Sequence, residues 1–173
     1  MINDKIGKAI NDQINAELHS AYIYYSMAYW FESVALTGFA KWMRVQALEE
    51  VTHAQRFAAY INGRGGRILL SAIEGPATEW KSALDAFEVA YKHECYISDR
   101  INKLVDLARE LRDHATDNFL QWFVAEQVEE EANAGDAVQK LKLVEGSKDG
   151  LFMLDREFGA RAFTMPVDMA GTV

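Results

Sequence analysis

In the stretch LEEVTHAQR (48–56), Glu50 and His53 fall where a helical face should be apolar. Glutamate and histidine at i and i+3 share one face of a helix, so a carboxylate oxygen and an imidazole nitrogen can grip one metal ion together. Glu17, Glu94, Gln127 and Glu130 stand in the same kind of place. Their spacing repeats. Glu17 to Glu50 spans 33 residues, and so does Glu94 to Gln127. His53 and Glu130 each follow three residues on. A single offset of 77 carries Glu17 onto Glu94, Glu50 onto Gln127 and His53 onto Glu130. A solvated charge pattern has no reason to repeat in this way. A duplicated bundle with a site between its halves does.

The chemistry follows from burial. Four carboxylates (Glu17, Glu50, Glu94 and Glu130) meeting in an interior would repel one another and take up protons unless cations joined them. Two divalent ions balance four negative charges. Oxygen-rich ligands with one imidazole suit iron or manganese better than a structural zinc. Carboxylate-bridged dimetal bundles draw one Glu from each of two helices and Glu-x-x-His from the other two. Here the second half reads Gln127-Val-Glu-Glu130, so the site is expected to be lopsided. One ion would take Glu17, Glu50 and His53. The other would take Glu50 as a bridge, Glu94 and Glu130, with Gln127 a weak ligand or a hydrogen-bond partner. Glu49, Glu126 and Glu129 lie beside these ligands. They form either a solvated acidic face or a third cation site, since i, i+3 spacing puts Glu126 and Glu129 together.

The elements that must position these groups are helices. Only two prolines interrupt the chain. Stepping three or four residues predicts helices over about 4–34, 38–64, 83–111 and 114–144, and a short amphipathic fifth helix over 151–158. Each long helix has a stripe apolar at both ends and acidic in the middle, such as Ile6, Ile10, Ile14, Glu17, Ala21, Tyr24, Met27, Phe31. In the third helix the stripe is Leu84, Phe87, Tyr91, Glu94, Ile97. Glycines in NGRGGR (62–67) end the second helix, and 68–82 is an extended connection. Short links join the first two helices and the last two, and a long link joins the pairs. The predicted fold is all-α: a ferritin-like four-helix bundle with a long crossover and a short C-terminal helix. Its domain covers 1–163, and 164–173 is expected to be a flexible tail.

Composition narrows the class further. A formal net charge of −8 argues against a nucleic-acid partner. No run is long and apolar enough for a membrane span, and the N-terminal residues lack a signal core. The single cysteine, Cys95, allows no intramolecular disulfide and agrees with a cytoplasmic setting. His19, His93 and His114 lack a 77-residue echo and are expected at the surface or an interface. Tyr24, two turns after Glu17, is either core or a partner that hydrogen-bonds a ligand or supplies an electron. Trp122 reads as core, with a redox role as the alternative.

By these residues the chain resembles the prokaryotic non-haem ferritins. The matching stretches are INDQINAELHSAYIYYSMA (10–28), FAKWMRVQALEEVTHAQRF (39–57) and FLQWFVAEQVEEEA (119–132). The resemblance implies a dinuclear ferroxidase centre that oxidises Fe(II) with dioxygen or peroxide. It also implies a hollow homo-oligomeric cage, usually of 24 subunits, that stores the ferric mineral. It places the centre's ligands on Glu17, Glu50, His53, Glu94 and Glu130, with Gln127 alongside. It places an inner iron site on Glu49, Glu126, Glu129 and Glu130, and the family tyrosine on Tyr24. The fifth helix resembles the segment lining four-fold axes. Bacterioferritins differ by a second Glu-x-x-His and a haem-binding methionine after the helix glutamate. Here those places hold Gln127, Glu130 and Val51, so no haem is expected. Rubrerythrins need more cysteines, and mini-ferritins lack the fifth helix. The rival readings are a structural, metal-buffering cage without oxidase activity and an oxygen-activating enzyme for an organic substrate. Asp113 and Asp117 are candidates for an iron entry path.

Overall fold

A computed structural model describes residues 1–165, and it consists of five helices with no strand among them. They are α1 (Asp4–Ser33), α2 (Thr37–Gly63), α3 (Ala83–Glu110), α4 (His114–Leu143) and α5 (Lys148–Phe158). α1 packs along α2 and α3 along α4 as two antiparallel hairpins, and α1 and α3 meet across them. The part of the expected tail from 166 to 173 lies outside the described residues.

Side-chain caps start the helices. Asn3, Ser82, Asp113 and Ser147 accept from backbone amides of the first turns of α1, α3, α4 and α5. The Ser147 cap starts α5 three residues before the predicted 151, so Gly150 lies inside the helix. Leu36 gives α2 no side-chain cap. Asp155 of α5 does that work instead: its Oδ1 accepts from the amides of Gly38 and Phe39, both at 2.9 Å. A side chain at Gly38 would run into the backbone of Asp155, with a Cβ only 1.6 Å from its carbonyl oxygen.

The 77-residue offset extends to the backbone. α1 ends at Ser33 and α3 at Glu110; α2 starts at Thr37 and α4 at His114. Between them Ala35 (φ 61°) and Arg112 (φ 54°), again 77 apart, are the only left-handed non-glycine residues among those described. Each closes the same six-residue cap, with Leu36 N to Phe31 O and Asp113 N to Ala108 O at 2.9 Å.

The crossover, residues 64–82, has no regular structure but is stitched to α1. Asn11 accepts from Leu69 N at 2.6 Å and donates to Arg67 O, Asn15 donates to Ala72 O, and Ser26 donates to Ala77 O at 2.6 Å. Two apolar clusters fill the bundle. One end holds Phe31, Phe39, Trp42, Phe87, Leu141 and Phe158. The other holds Ile6, Ile10, Phe57, Ile101, Leu120 and Phe123. The buried glutamates separate them. One stripe residue was misplaced: Tyr91 is 38 % exposed, because the buried face of α3 steps from Phe87 to Ala90 and then to Glu94.

Candidate metal centre

Glu17, Glu50, Glu94, Glu130, His53 and Gln127 are all buried, each 6 % exposed or less. α1 supplies Glu17, α2 supplies Glu50 and His53, α3 supplies Glu94, and α4 supplies Gln127 and Glu130. One ligand atom from each of Glu17, Glu50 and His53 lies within 4.8 Å of the others. A second such group joins His53, Glu126 and Glu130. His53 is thus shared, with Nδ1 3.6 Å from Glu50 Oε2 and Nε2 3.9 Å from Glu126 Oε1. Its ring is fixed edge-on between Trp122 and Phe123.

The donors around the carboxylates are few. Gln13 Nε2 donates to Glu17 Oε1 at 2.9 Å. Gln46 Nε2 donates to Glu130 Oε2 at 2.6 Å and reaches Glu50 Oε1 at 3.4 Å. The Tyr24 hydroxyl donates to Glu94 Oε1, and Gln127 Nε2 lies 3.5 Å from Glu94 Oε2. Glu17 Oε2 and Glu50 Oε2 are buried and receive no hydrogen bond from the described residues. An unpaired buried carboxylate oxygen is costly, and here there are two, on neighbouring residues of one group.

Electrostatics records that cost. Burial, followed by the charge of Glu50, pushes Glu17 up from the usual 4.5 to about 8. Burial and the neighbouring Glu130 push Glu94 to about 8, against the pull of Tyr24 and Gln127. Glu50 is raised well above the carboxylate range by burial, Glu94 and Glu130. Tyr24 is raised as well, by burial and by the Glu94 it serves. Without cations the centre therefore holds protons at neutral pH. Two divalent ions would take their place, and the oxygens left unpaired fit that role.

The expected third group is less assembled. Glu49, Glu126 and Glu129 form no compact ligand set among the described residues. Glu49 Oε2 instead accepts from Arg161 Nη2 at 2.5 Å, Glu126 turns toward His53, and Glu129 is exposed. Burial nonetheless raises Glu49 to about 7, with Arg161 opposing. His93, expected at the surface or an interface, lies against Ser20 and Tyr24. It is half-buried, 2.7 Å from Ser20 Oγ and edge-on to Tyr24, and desolvation lowers it to about 4. His114 is exposed, as expected, and His19 is half-buried. Asp113 caps α4 and pairs with Arg64 at 3.0 Å, and Asp117 pairs with Arg109 at 3.3 Å.

Sequence reasoning missed Gln13, Gln46 and Arg161. Gln13 and Gln46 each stand four residues before a buried glutamate, at Glu17 and Glu50. Two glutamines a helical turn from two buried glutamates was a readable signal. Arg161 left no such signal.

A four-helix bundle with a carboxylate-lined interior centre defines a class, and comparison with known proteins gives its family. A profile of the Ferritin-like domain matches residues 7–144, and the chain belongs to that family. It is 42 % identical over 161 residues to the bacterial non-heme ferritin of Bacteroides fragilis, a match covering 93 % of this chain and 100 % of the relative. The Escherichia coli O6:H1 bacterial non-heme ferritin is 36 % identical, over 91 % and 95 % of the two chains. Among solved structures, an open pore ferritin from the hyperthermophilic archaeon Archaeoglobus fulgidus superposes with a TM-score of 0.93 at 51 % identity, covering 94 % of this chain and all of the other. A closed form of the same ferritin, engineered by site-directed mutagenesis, superposes at 0.94 with 51 % identity, over 95 % of this chain and 100 % of that one.

Proposed function

We propose that this protein is an iron-storage ferritin with ferroxidase activity at a dinuclear centre inside each subunit. The observation that carries the reading is the convergence of Glu17, Glu50 and His53 around two buried carboxylate oxygens without donors. Fe(II) is the substrate. One ion is held by Glu17, Glu50 and His53, and its neighbour by Glu50, Glu94 and Glu130. Gln127 and Tyr24 hold Glu94 in place through hydrogen bonds. As the ions enter, Glu17 and Glu94 give up their protons to solvent. Each Fe(II) then yields one electron. Dioxygen takes both with two protons and leaves as hydrogen peroxide; where peroxide is the oxidant, the same two electrons and two protons give two waters. The ferric ions move to an inner cation position at Glu49, Glu126 and Glu129, and on to a mineral. Carboxylates suit both steps, because they hold either oxidation state and exchange quickly.

The resident chemistry includes no haem, since Val51 follows Glu50. An organic substrate fits poorly. The cleft that reaches Gln127, between Ser98, Asn102, Val128 and Glu131, is about 110 Å³, below the usual range for small-molecule sites. The subunits assemble as a hollow homo-oligomer of 24 in the cytoplasm. Solved relatives described as open pore and closed ferritins support that assembly. So do exposed apolar side chains such as Leu69 at 58 %, Leu70 at 72 % and Phe152 at 63 %.

The test is aerobic Fe(II) oxidation followed at amber-absorbing wavelengths. The parent should outpace buffer, and H53A and E130A should each slow the fast phase by at least about a hundredfold while the assembly persists. Oxidation by H53A at the parent rate would overturn the site assignment. Oxidation by the parent no faster than in buffer would leave a metal-buffering cage.

A further inference from the structure

Arg161 lies just beyond α5, yet it reaches the metal centre. Its Nη1 donates to Gln46 Oε1 at 2.8 Å and its Nη2 to Glu49 Oε2 at 2.5 Å. The guanidinium stacks on Trp42, with 4.3 Å from its central carbon to the ring centroid. Its side chain is 19 % exposed. α5 holds it there. Asp155 is clamped on the amides of Gly38 and Phe39, and Lys41 Nζ donates to Gly159 O at 2.8 Å.

Two consequences follow from elementary chemistry. A guanidinium only donates, so Gln46 must turn its oxygen toward Arg161. Its amide nitrogen then faces Glu130 and Glu50, as observed. The guanidinium also already neutralises Glu49, one of the three carboxylates of the inner cation position.

We propose that Arg161 is a tethered cation seated on the Glu49 side of that inner position, so that an ion enters there only by displacing the guanidinium. The inference rests on the cation-binding reading of the acidic interior and adds a gate to it. While Arg161 is seated, the dinuclear pair fills first and Gln46 is held as a donor to Glu130. When a third ion arrives, Glu49 changes partner, Arg161 leaves Trp42, and Gln46 is freed to rotate beside Glu130. Arg161 is a positioning residue: it touches neither of the two ions of the pair.

The experiment titrates the metal-free assembly with Zn2+, a redox-inert probe, by calorimetry at low ionic strength. The parent should bind two ions tightly and a third weakly. In R161Q the third should bind about tenfold tighter, as expected when a partly buried cation is removed from a carboxylate, with the first two nearly unchanged. The double variant R161Q/E49Q should lose the gain. A third-ion affinity in R161Q equal to or below the parent's would overturn the proposal. A second reading needs no change at Arg161. Tryptophan fluorescence of the parent should shift during the third equivalent, and W42F should diminish that phase, Trp122 beside His53 supplying the rest. A signal that is absent from the parent, or that is undiminished in W42F, would also overturn it. The two readings fail separately. A parent that took up no pair of ions, with R161Q still gaining one through Glu49, would sink the dinuclear centre and keep the role of Arg161.

Discussion

Glu17 and Glu94 are buried carboxyls that hold their protons, and this fixes how the metal-free protein responds to pH. Each titrates near 4.5 in an unfolded chain and near 8 in the fold. Between those values the folded state holds protons that the unfolded state has released, so stability falls as pH rises. The contribution is complete below 4.5 and gone above about 8. With a chelator present, the melting temperature should drop by roughly 5 °C or more between pH 5.5 and 8.5. E17Q should flatten the profile, and Zn2+ should restore the loss at pH 8.5. A metal-free parent with a flat profile would contradict the buried, protonated state. The buried carboxylates themselves were legible in the sequence, because Glu17, Glu50, Glu94 and Glu130 each interrupt an otherwise apolar helical stripe. The partner of Glu49 was not. Arg161 lies 112 residues from it, and only the docking of α5 brings the two together.

At the scale of elements, the two hairpins turn in the same way. Ala35 and Arg112 sit at corresponding cap positions with positive φ, where a Cβ is disfavoured and glycine is usual. A35G and R112G should each raise unfolding stability by about 0.5–1 kcal/mol, read by denaturant unfolding, and by similar amounts in the two halves. A loss in either would show that its side chain contributes more than its backbone costs. The sequence carried the four long helices and their order, since the 3.6-residue period of their apolar stripes is strong. It did not carry the capping of α2. Leu36 offers no side-chain acceptor, and the one that serves, Asp155, looks in sequence like any charged residue of a surface helix. Tyr91 was placed inside because a step of four residues from Phe87 is as good a helical period as the step of three that the fold takes to Ala90.

For the whole molecule, the prediction concerns iron and size together. After aerobic Fe(II) loading, many iron atoms per subunit should co-elute with protein as one large particle in size-exclusion chromatography. Iron stopping at two or three per subunit, or a particle of one or two chains, would remove the storage reading and leave a metal-binding bundle. Assembly would cover the apolar side chains of the crossover and α5 that a lone subunit exposes. Within each subunit, the site is split between the hairpins: α1 and α2 bring Glu17, Glu50 and His53, and α3 and α4 bring Glu94, Gln127 and Glu130. Each hairpin can form from neighbouring segments at little loop-closure cost, before it meets the other. Glu17 and Glu50 lie within one hairpin and Glu94 and Glu130 within the other, so the two acidic sets face each other only where the hairpins dock, and the substrate this protein would collect is also the counter-charge that eases its own two halves together.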